Sequence, residues 1–190
     1  RFADRILCTS VRMKNEFIDN FHIPSGKIYI FSNPVDDVLI RKEASLNPIS
    51  VNKKGVRFVA SGRLVYQKGF DRLLYWFSKL KDKSSDLIIL GNGPMEQELK
   101  KIAKELSIDD RVIFTGFCEN PWKWYASADA FLLSSRWEGM SNAALEALAC
   151  GTKVIATSDS GGISELLDQA STGAVTVVET EELFQKKMVT

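Results

Sequence analysis

The chain has 190 residues, 45% of them apolar and 26% charged, which fits one globular domain with an appendage and excludes a disordered polymer. Its 25 basic and 24 acidic side chains leave a formal net charge of +1, so no global basic field points to nucleic acid or an anionic membrane. No apolar run nears the roughly 18 residues of a membrane-spanning helix, and a single histidine, His22, excludes a metal site built on two.

The opening Arg1-Phe2-Ala3-Asp4-Arg5 lacks Met and the apolar stretch of a signal peptide, and reads as a cut from something longer. Residues 3–9 predict a short strand, 11–21 a helix carrying Val11, Phe17, Ile18 and Phe21, and 27–31 a second strand that ends at Asn33-Pro34. Residues 34–54 are polar, contain Pro48, and read as a linker. A regular series follows. Strands are expected at 56–60, 86–90, 111–115, 130–133, 153–156 and 174–178, with helices near 69–80, 94–106, 121–127, 141–149, 162–168 and 180–188. Pro94 reads as the first helical position of the second helix, Asn120 as the cap of the third, and Gly151 as the stop of the fourth. Near-continuous apolar strands alternating with helices imply an α/β domain, a doubly wound parallel sheet of Rossmann type. Ligands of such sheets bind outside the carboxyl ends of the strands, so the strand-end loops are where chemistry is sought.

After the first strand of the series, Gly62-Arg63 and Lys68-Gly69 set two cations between glycines, just ahead of a helix start. Glycine lets a backbone approach an anion, free amides attract it, and Arg63 can grip oxygens bidentately. The same loop reads equally as a solvated turn, and it is no Walker motif, because Gly follows Lys68. Gly91-Asn92-Gly93-Pro94 reads as a tight strand-to-helix turn, and the glycine-bearing turn at 157–165 as a ligand contact or a helix cap. The most informative stretch runs from Ser134 to Gly151. Its helix, from Asn142 to Cys150, is Ala, Leu and Cys almost all round and is expected to be buried, with Glu146 as its one charge. A buried carboxylate needs a partner or a ligand, so either a basic side chain pairs with Glu146 or it faces a bound molecule. Glu138 lies eight residues earlier, and Gly139, Met140 and Ser141 lead into the helix with amides free at its start. Carboxylates accept from sugar hydroxyls, while amides and cations hold phosphates; a nucleotide-sugar needs both. A structural Glu146 salt bridge with an exposed Glu138 is the alternative.

Cys8, Cys118 and Cys150 are odd in number and far apart, the pattern of inert thiols in a reducing compartment rather than of a disulfide framework. No Asp-x-Asp metal–diphosphate motif is present. The aromatics of Asn120-Pro121-Trp122-Lys123-Trp124-Tyr125 read as helix packing rather than an acceptor or membrane contact, and His22 as a surface or packing residue.

Gly62-Arg63-x4-Lys68-Gly69 and Glu138-x7-Glu146, the latter embedded in Glu-Gly-Met-Ser-Asn-Ala-Ala-Leu-Glu-Ala-Leu-Ala-Cys-Gly, together resemble the retaining nucleotide-sugar glycosyltransferases of family 4. The resemblance runs from about residue 3 to 180. It implies a GT-B fold of two Rossmann-like lobes with the site between them. This chain would then hold the C-terminal, donor-binding lobe (55–190), a linker (34–54) and a remnant of the N-terminal lobe (1–33). It implies that Arg63 and Lys68 stabilise the departing diphosphate and that Glu138 takes hydroxyls of the donor sugar. Glu146 would bind the ribose, Gly62 and the amides of Gly139, Met140, Ser141 and Asn142 the donor, and the backbone near Phe117 the base. No cofactor or metal is implied: cations and the helix dipole take a metal's place, and the nucleotide-diphosphate sugar, of UDP rather than GDP type, is a substrate. The acceptor, a glycan or lipid-linked sugar, is expected at the missing lobe, and so is any peripheral membrane association. The setting is expected to be cytoplasmic, at the inner membrane face, in polysaccharide biosynthesis, and this chain alone is expected to be inactive. Two rivals remain at this point: a non-catalytic nucleotide-binding module, and a phosphorylase of the same fold that uses inorganic phosphate and pyridoxal phosphate.

Overall fold

The structure, a computed structural model, describes residues 3–46, 49, 55–167 and 173–188. Parts of the expected linker (47, 48 and 50–54), residue 168 of the expected fifth helix and both chain ends lie outside the described residues.

Six strands make one all-parallel sheet: β3 (Arg57–Ser61), β4 (Asp86–Leu90), β5 (Val112–Gly116), β6 (Ala130–Leu133), β7 (Lys153–Thr157) and β8 (Val175–Val178). Their order is β5-β4-β3-β6-β7-β8. The chain thus builds outward from β3 to one edge, returns to β6 beside β3, and builds outward to the other edge, as expected of a doubly wound sheet. Alternation along the strands feeds two cores. Phe58, Ala60, Leu87 and Ile89 face α3 (Phe70–Ser78), α4 (Glu96–Glu105) and α7 (Glu181–Lys187), where Phe77, Leu99 and Phe184 are buried. Val59, Ile88 and Phe131 face α5 (Trp122–Ser127) and α6 (Asn142–Ala149), where Tyr125, Ala144 and Ala147 are buried.

Ahead of this sheet, β1 (Ile6–Cys8) and β2 (Ile28–Ile30) pair in parallel around α1 (Val11–Phe21). The Ser10 hydroxyl caps α1 by accepting from the Met13 amide at 3.1 Å, and exposed His22, at φ +53°, ends it in the left-handed region. The carboxylate of Glu165 ties this unit to the main sheet's side by accepting from the Val11 and Arg12 amides at 3.0 and 2.9 Å.

Three elements differ from expectation. The stretch 34–54, to which the sequence reading gives no element, contains α2 (Asp37–Ser45). Its start signal is Asp36, whose carboxylate accepts from the Leu39 amide at 2.9 Å, and Ile40 and Ala44 bury themselves against α5 and α6. Helix α4 begins at Glu96 rather than Pro94, because Pro94 and Met95 form a turn pinned by the Met95 amide to the Leu64 carbonyl at 3.0 Å. The expected helix near 162–168 is instead a 3₁₀ stretch, Ser158–Leu166, bent at Gly161. Gly161 has φ +75°, and a Cβ there would lie 1.9 Å from the Glu138 carbonyl oxygen, so this bend needs glycine.

Candidate functional site

At the carboxyl end of the sheet, β3 and β6 are neighbours whose following loops depart to opposite sides and leave a crevice between them. The loops after β3, β4 and β5 are stitched edge to edge. The Gly62 amide donates to the Leu90 carbonyl at 3.0 Å, Leu64 to Asn92 at 2.9 Å, and Gly91 to Gly116 at 2.8 Å. A Cβ on Gly91, at φ +128°, would sit 2.0 Å from the Gly62 carbonyl oxygen, so only glycine permits this approach.

The crevice is a cavity of about 480 Å³. Of the residues expected to form a site, it gathers Gly62 and Arg63 from the β3 loop, Phe117 from the β5 loop, and Asn142 and Glu146 from α6. Arg63 is exposed, and among the described residues its guanidinium has no hydrogen-bond or ion-pair partner. Phe117 stands 74% exposed at the rim.

Lys68 and Glu138 do not line this cavity; they bond to each other. Lys68 ends a 3₁₀ turn, Tyr66–Lys68, and its stem passes beneath Gly62, where a Cβ would meet Lys68 Cε at 3.1 Å. The Ser135 hydroxyl donates to the same Glu138 oxygen at 2.9 Å. The two side chains are only 18% and 9% exposed, so Glu138 is not the solvent-exposed carboxylate of the alternative reading. The loops that carry them are locked by contacts the sequence reading missed. Arg136 grips Asp71 bidentately at 2.8 and 2.7 Å and lies over the Tyr66 ring at 3.8 Å. Burial raises the Asp71 carboxyl, but hydrogen bonds and charge from Arg136 outweigh it and hold the group below the usual aspartate range. Arg72 donates to the Ser134 and Ser135 carbonyls at 2.8 and 2.6 Å. Both arginines satisfy the backbone of a tight loop that turns straight off a strand.

The loop into α6 meets the amino-terminal unit. The Gly139 carbonyl accepts from the Gly162 amide at 2.8 Å, and the Met140 carbonyl and Asn142 Oδ1 face Asn33 Nδ2 at 3.5 and 2.5 Å. Ser141 is buried, and its hydroxyl caps α6 by accepting from the Ala144 amide at 3.4 Å. Gly139, Met140 and Ser141 therefore border the cavity's helix without lining the cavity. Among the described residues the amides of Asn142 and Ala143, in the first turn of α6, donate to no protein acceptor. Helix α6 itself is less buried than its composition suggests. Ala144 and Ala147 are buried, whereas Leu145, Glu146, Leu148 and Ala149 are half-buried, and Glu146 lines two cavities beside the helix.

Among the described residues Glu146 has no basic partner of the kind a structural salt bridge requires. The Trp122 indole N–H donates to its Oε2 at 3.0 Å, and Glu146 lines the cavity. Burial raises the Glu146 carboxyl above the usual range, and the indole offsets only part of this. The neighbouring aromatics pack as expected, with Tyr125 fully buried in an edge-on contact with Phe131. All three cysteines are free; Cys8 is buried, and burial pushes the half-buried Cys150 thiol up to about 11. No helix among the described residues is long and apolar enough to cross a membrane.

Comparison with known proteins gives a consistent picture. The profile of the family described as "Glycosyl transferases group 1" matches residues 41–189. Over 184 residues the chain is 34% identical to a Campylobacter jejuni protein, N-acetylgalactosamine-N,N'-diacetylbacillosaminyl-diphospho-undecaprenol 4-alpha-N-acetylgalactosaminyltransferase, covering 96% of this chain and 49% of that one. It is 32% identical over 161 residues to the lipopolysaccharide core biosynthesis mannosyltransferase LpsB of Rhizobium meliloti, covering 80% of this chain and 44% of that one. The chain thus spans about half the length of the curated relatives it matches. Among solved structures it shares its fold with Anabaena HepE in complex with UDP and glucose, at TM-score 0.84 and 21% identity, over 99% of this chain and 53% of that one.

Proposed function

Because this chain belongs to the glycosyl transferases group 1 family, we propose that it is the donor-binding lobe of a retaining, metal-independent glycosyltransferase that uses a nucleotide-diphosphate sugar of UDP type. One observation carries the reading. A single cavity at the reversal point of the sheet brings together Arg63, whose guanidinium has no partner among the described residues, a carboxylate, Glu146, and an exposed aromatic ring, Phe117, beside first-turn amides of α6 that no described residue engages. Those groups match, in turn, a diphosphate, a ribose, a base and further phosphate oxygens. The Lys68–Glu138 pair beneath Gly62 supplies one cation and one carboxylate where a sugar diphosphate has one phosphate and several hydroxyls.

The chemistry follows from charge. When the sugar–phosphate bond breaks, negative charge gathers on the departing nucleoside diphosphate. Donors already in place for that charge lower the barrier without reorganising. Arg63, Lys68 and the α6 amides take that part, and Glu138 orients the sugar. The UDP reading is supported by the nucleotide held in HepE, and retention by the alpha linkage in the name of the Campylobacter relative, because an alpha product from an alpha-linked nucleotide sugar keeps its configuration. The acceptor, a glycan or lipid-linked sugar as that name describes, falls to the part of the protein beyond this lobe, and so does any contact with a membrane.

Isothermal titration with UDP tests the proposal. Arg63→Ala weakens binding about tenfold, the loss of one charge-assisted hydrogen bond, while Tm stays within about 2 °C, because the exposed Arg63 side chain bonds to no other described residue. Absence of saturable binding by any nucleoside diphosphate, or an unchanged Kd for Arg63→Ala, refutes it.

A further inference from the structure

Glu146 forms part of the wall of two cavities. One is the 480 Å³ cleft; the other, about 180 Å³, lies under the start of α2 and is lined by Asp36, Leu39, Ile40 and Trp122. Trp122 lines only the smaller one, so its indole lies behind the carboxylate rather than beside a ligand in the cleft. Its N–H is the one donor recorded for the Glu146 carboxylate among the described residues, and it takes Oε2, which leaves Oε1 unengaged. A glutamate's terminal torsion is broad, so an unsupported carboxylate samples many orientations. An indole can only donate, and it is neutral. It therefore fixes orientation without supplying a counter-charge that would compete with a ligand's hydroxyls for the second oxygen. The indole is itself held. Helix α5 is tied to α2 by the Asn120 amide group, which donates to the Glu43 carbonyl at 3.1 Å.

We infer that Trp122 is a positioning residue that aims Glu146 into the cleft, and that this pair selects a ribonucleotide over its deoxy analogue. The inference rests on the donor-binding reading above, and it adds a residue from a helix that carries none of the expected site residues.

The test compares the Kd values of UDP, 2′-deoxy-UDP and 3′-deoxy-UDP for the wild-type chain, Trp122→Phe, Glu146→Gln and the double variant. Phenylalanine keeps the aromatic bulk and removes the N–H. In the wild type, loss of the contacted hydroxyl weakens binding about tenfold. Glu146→Gln erases most of that ratio, Trp122→Phe erases at least half of it on a logarithmic scale, and the double variant loses no more than Glu146→Gln. General damage to the fold moves all three nucleotides together and leaves the ratio intact. The inference is overturned if Trp122→Phe keeps the wild-type ratio, or weakens all nucleotides equally, while Glu146→Gln abolishes it. If Glu146→Gln keeps the ratio, the ribose contact itself is wrong and the inference falls with it. Should Trp122→Phe fail to fold, replacement by 3-benzothienylalanine, with sulfur in place of the N–H, is read by the same criteria.

Discussion

Replacing Lys68 by methionine removes the ammonium that faces Glu138 while keeping most of the stem beneath Gly62. The carboxylate then remains 9% exposed with the Ser135 hydroxyl, at 2.9 Å, as its remaining side-chain donor. Breaking a buried ion pair from one side costs about 3–5 kcal/mol, and the surviving hydroxyl bond places this case near the lower figure. For a chain of this size each kcal/mol moves Tm by about 2–4 °C, so Lys68→Met lowers Tm by about 6–12 °C. The opposite variant, Glu138→Gln, leaves an ammonium on a flexible stem that is already 18% exposed and can reach water, and it costs about 1–2 kcal/mol. The double variant carries no buried charge and recovers most of the loss. Urea unfolding followed by circular dichroism and tryptophan fluorescence, with Tm measured alongside, gives all three values. Titration with UDP adds a second axis: both single variants and the double lose affinity, so stability returns in the double variant and binding does not. Equal costs for the two single variants, or less than about 1 kcal/mol for Lys68→Met, refute the view of this pair as buried and asymmetric.

Two further outcomes follow from titrating groups near the cleft. Burial raises the Glu146 carboxyl above its usual 4.5, so the native state holds this proton to a higher pH than the unfolded chain does. Its contribution to stability is complete below the unfolded value and is lost as pH rises through the folded one. Glu146→Gln therefore raises Tm at pH 7.5 and not at pH 4, and a lower Tm at pH 7.5 contradicts the sign. The Cys150 thiol, pushed up to about 11 by burial with the Glu146 charge adding, exposes little thiolate at pH 8. Iodoacetamide modifies it about 100-fold more slowly in the native chain than in urea, followed by peptide mass spectrometry; equal rates contradict the environment described.

The sequence made the sheet legible because six apolar runs, each ended by glycine or a polar turn, leave little choice beyond a covered parallel sheet. It also placed Arg63, Phe117, Asn142 and Glu146 at the right end of that sheet, since strand-end loops share one side whatever the strand order. Contacts across distance in sequence were not legible. Lys68 and Glu138 are 70 residues apart, and the motif names both without showing that they pair. Trp122 and Glu146 belong to helices that β6 separates in sequence, and an indole in an aromatic run gives no sign that its N–H reaches a carboxylate. Helix α2 was missed for a different reason. Its apolar face is two buried residues wide, Ile40 and Ala44, too little for periodicity to show, although the cap signal at Asp36 was present. The bend at Gly161 was hidden because what it avoids, the Glu138 carbonyl, comes from another loop.

The reversal of strand order at β3 and β6 divides the cleft at one point in the gene. Everything on the Arg63 and Phe117 wall is encoded before Ala128, and everything on the Asn142 and Glu146 wall after it. A recombination at that position exchanges one wall of the cleft between relatives and leaves the other untouched, with the six-stranded sheet as the common frame. Among the pairs that cross the junction at the site are Lys68 with Glu138, Asp71 with Arg136, and Trp122 with Glu146. They set which parents can be joined, because a chimera that inherits one member without the other inherits a charge or a donor facing the wrong neighbour.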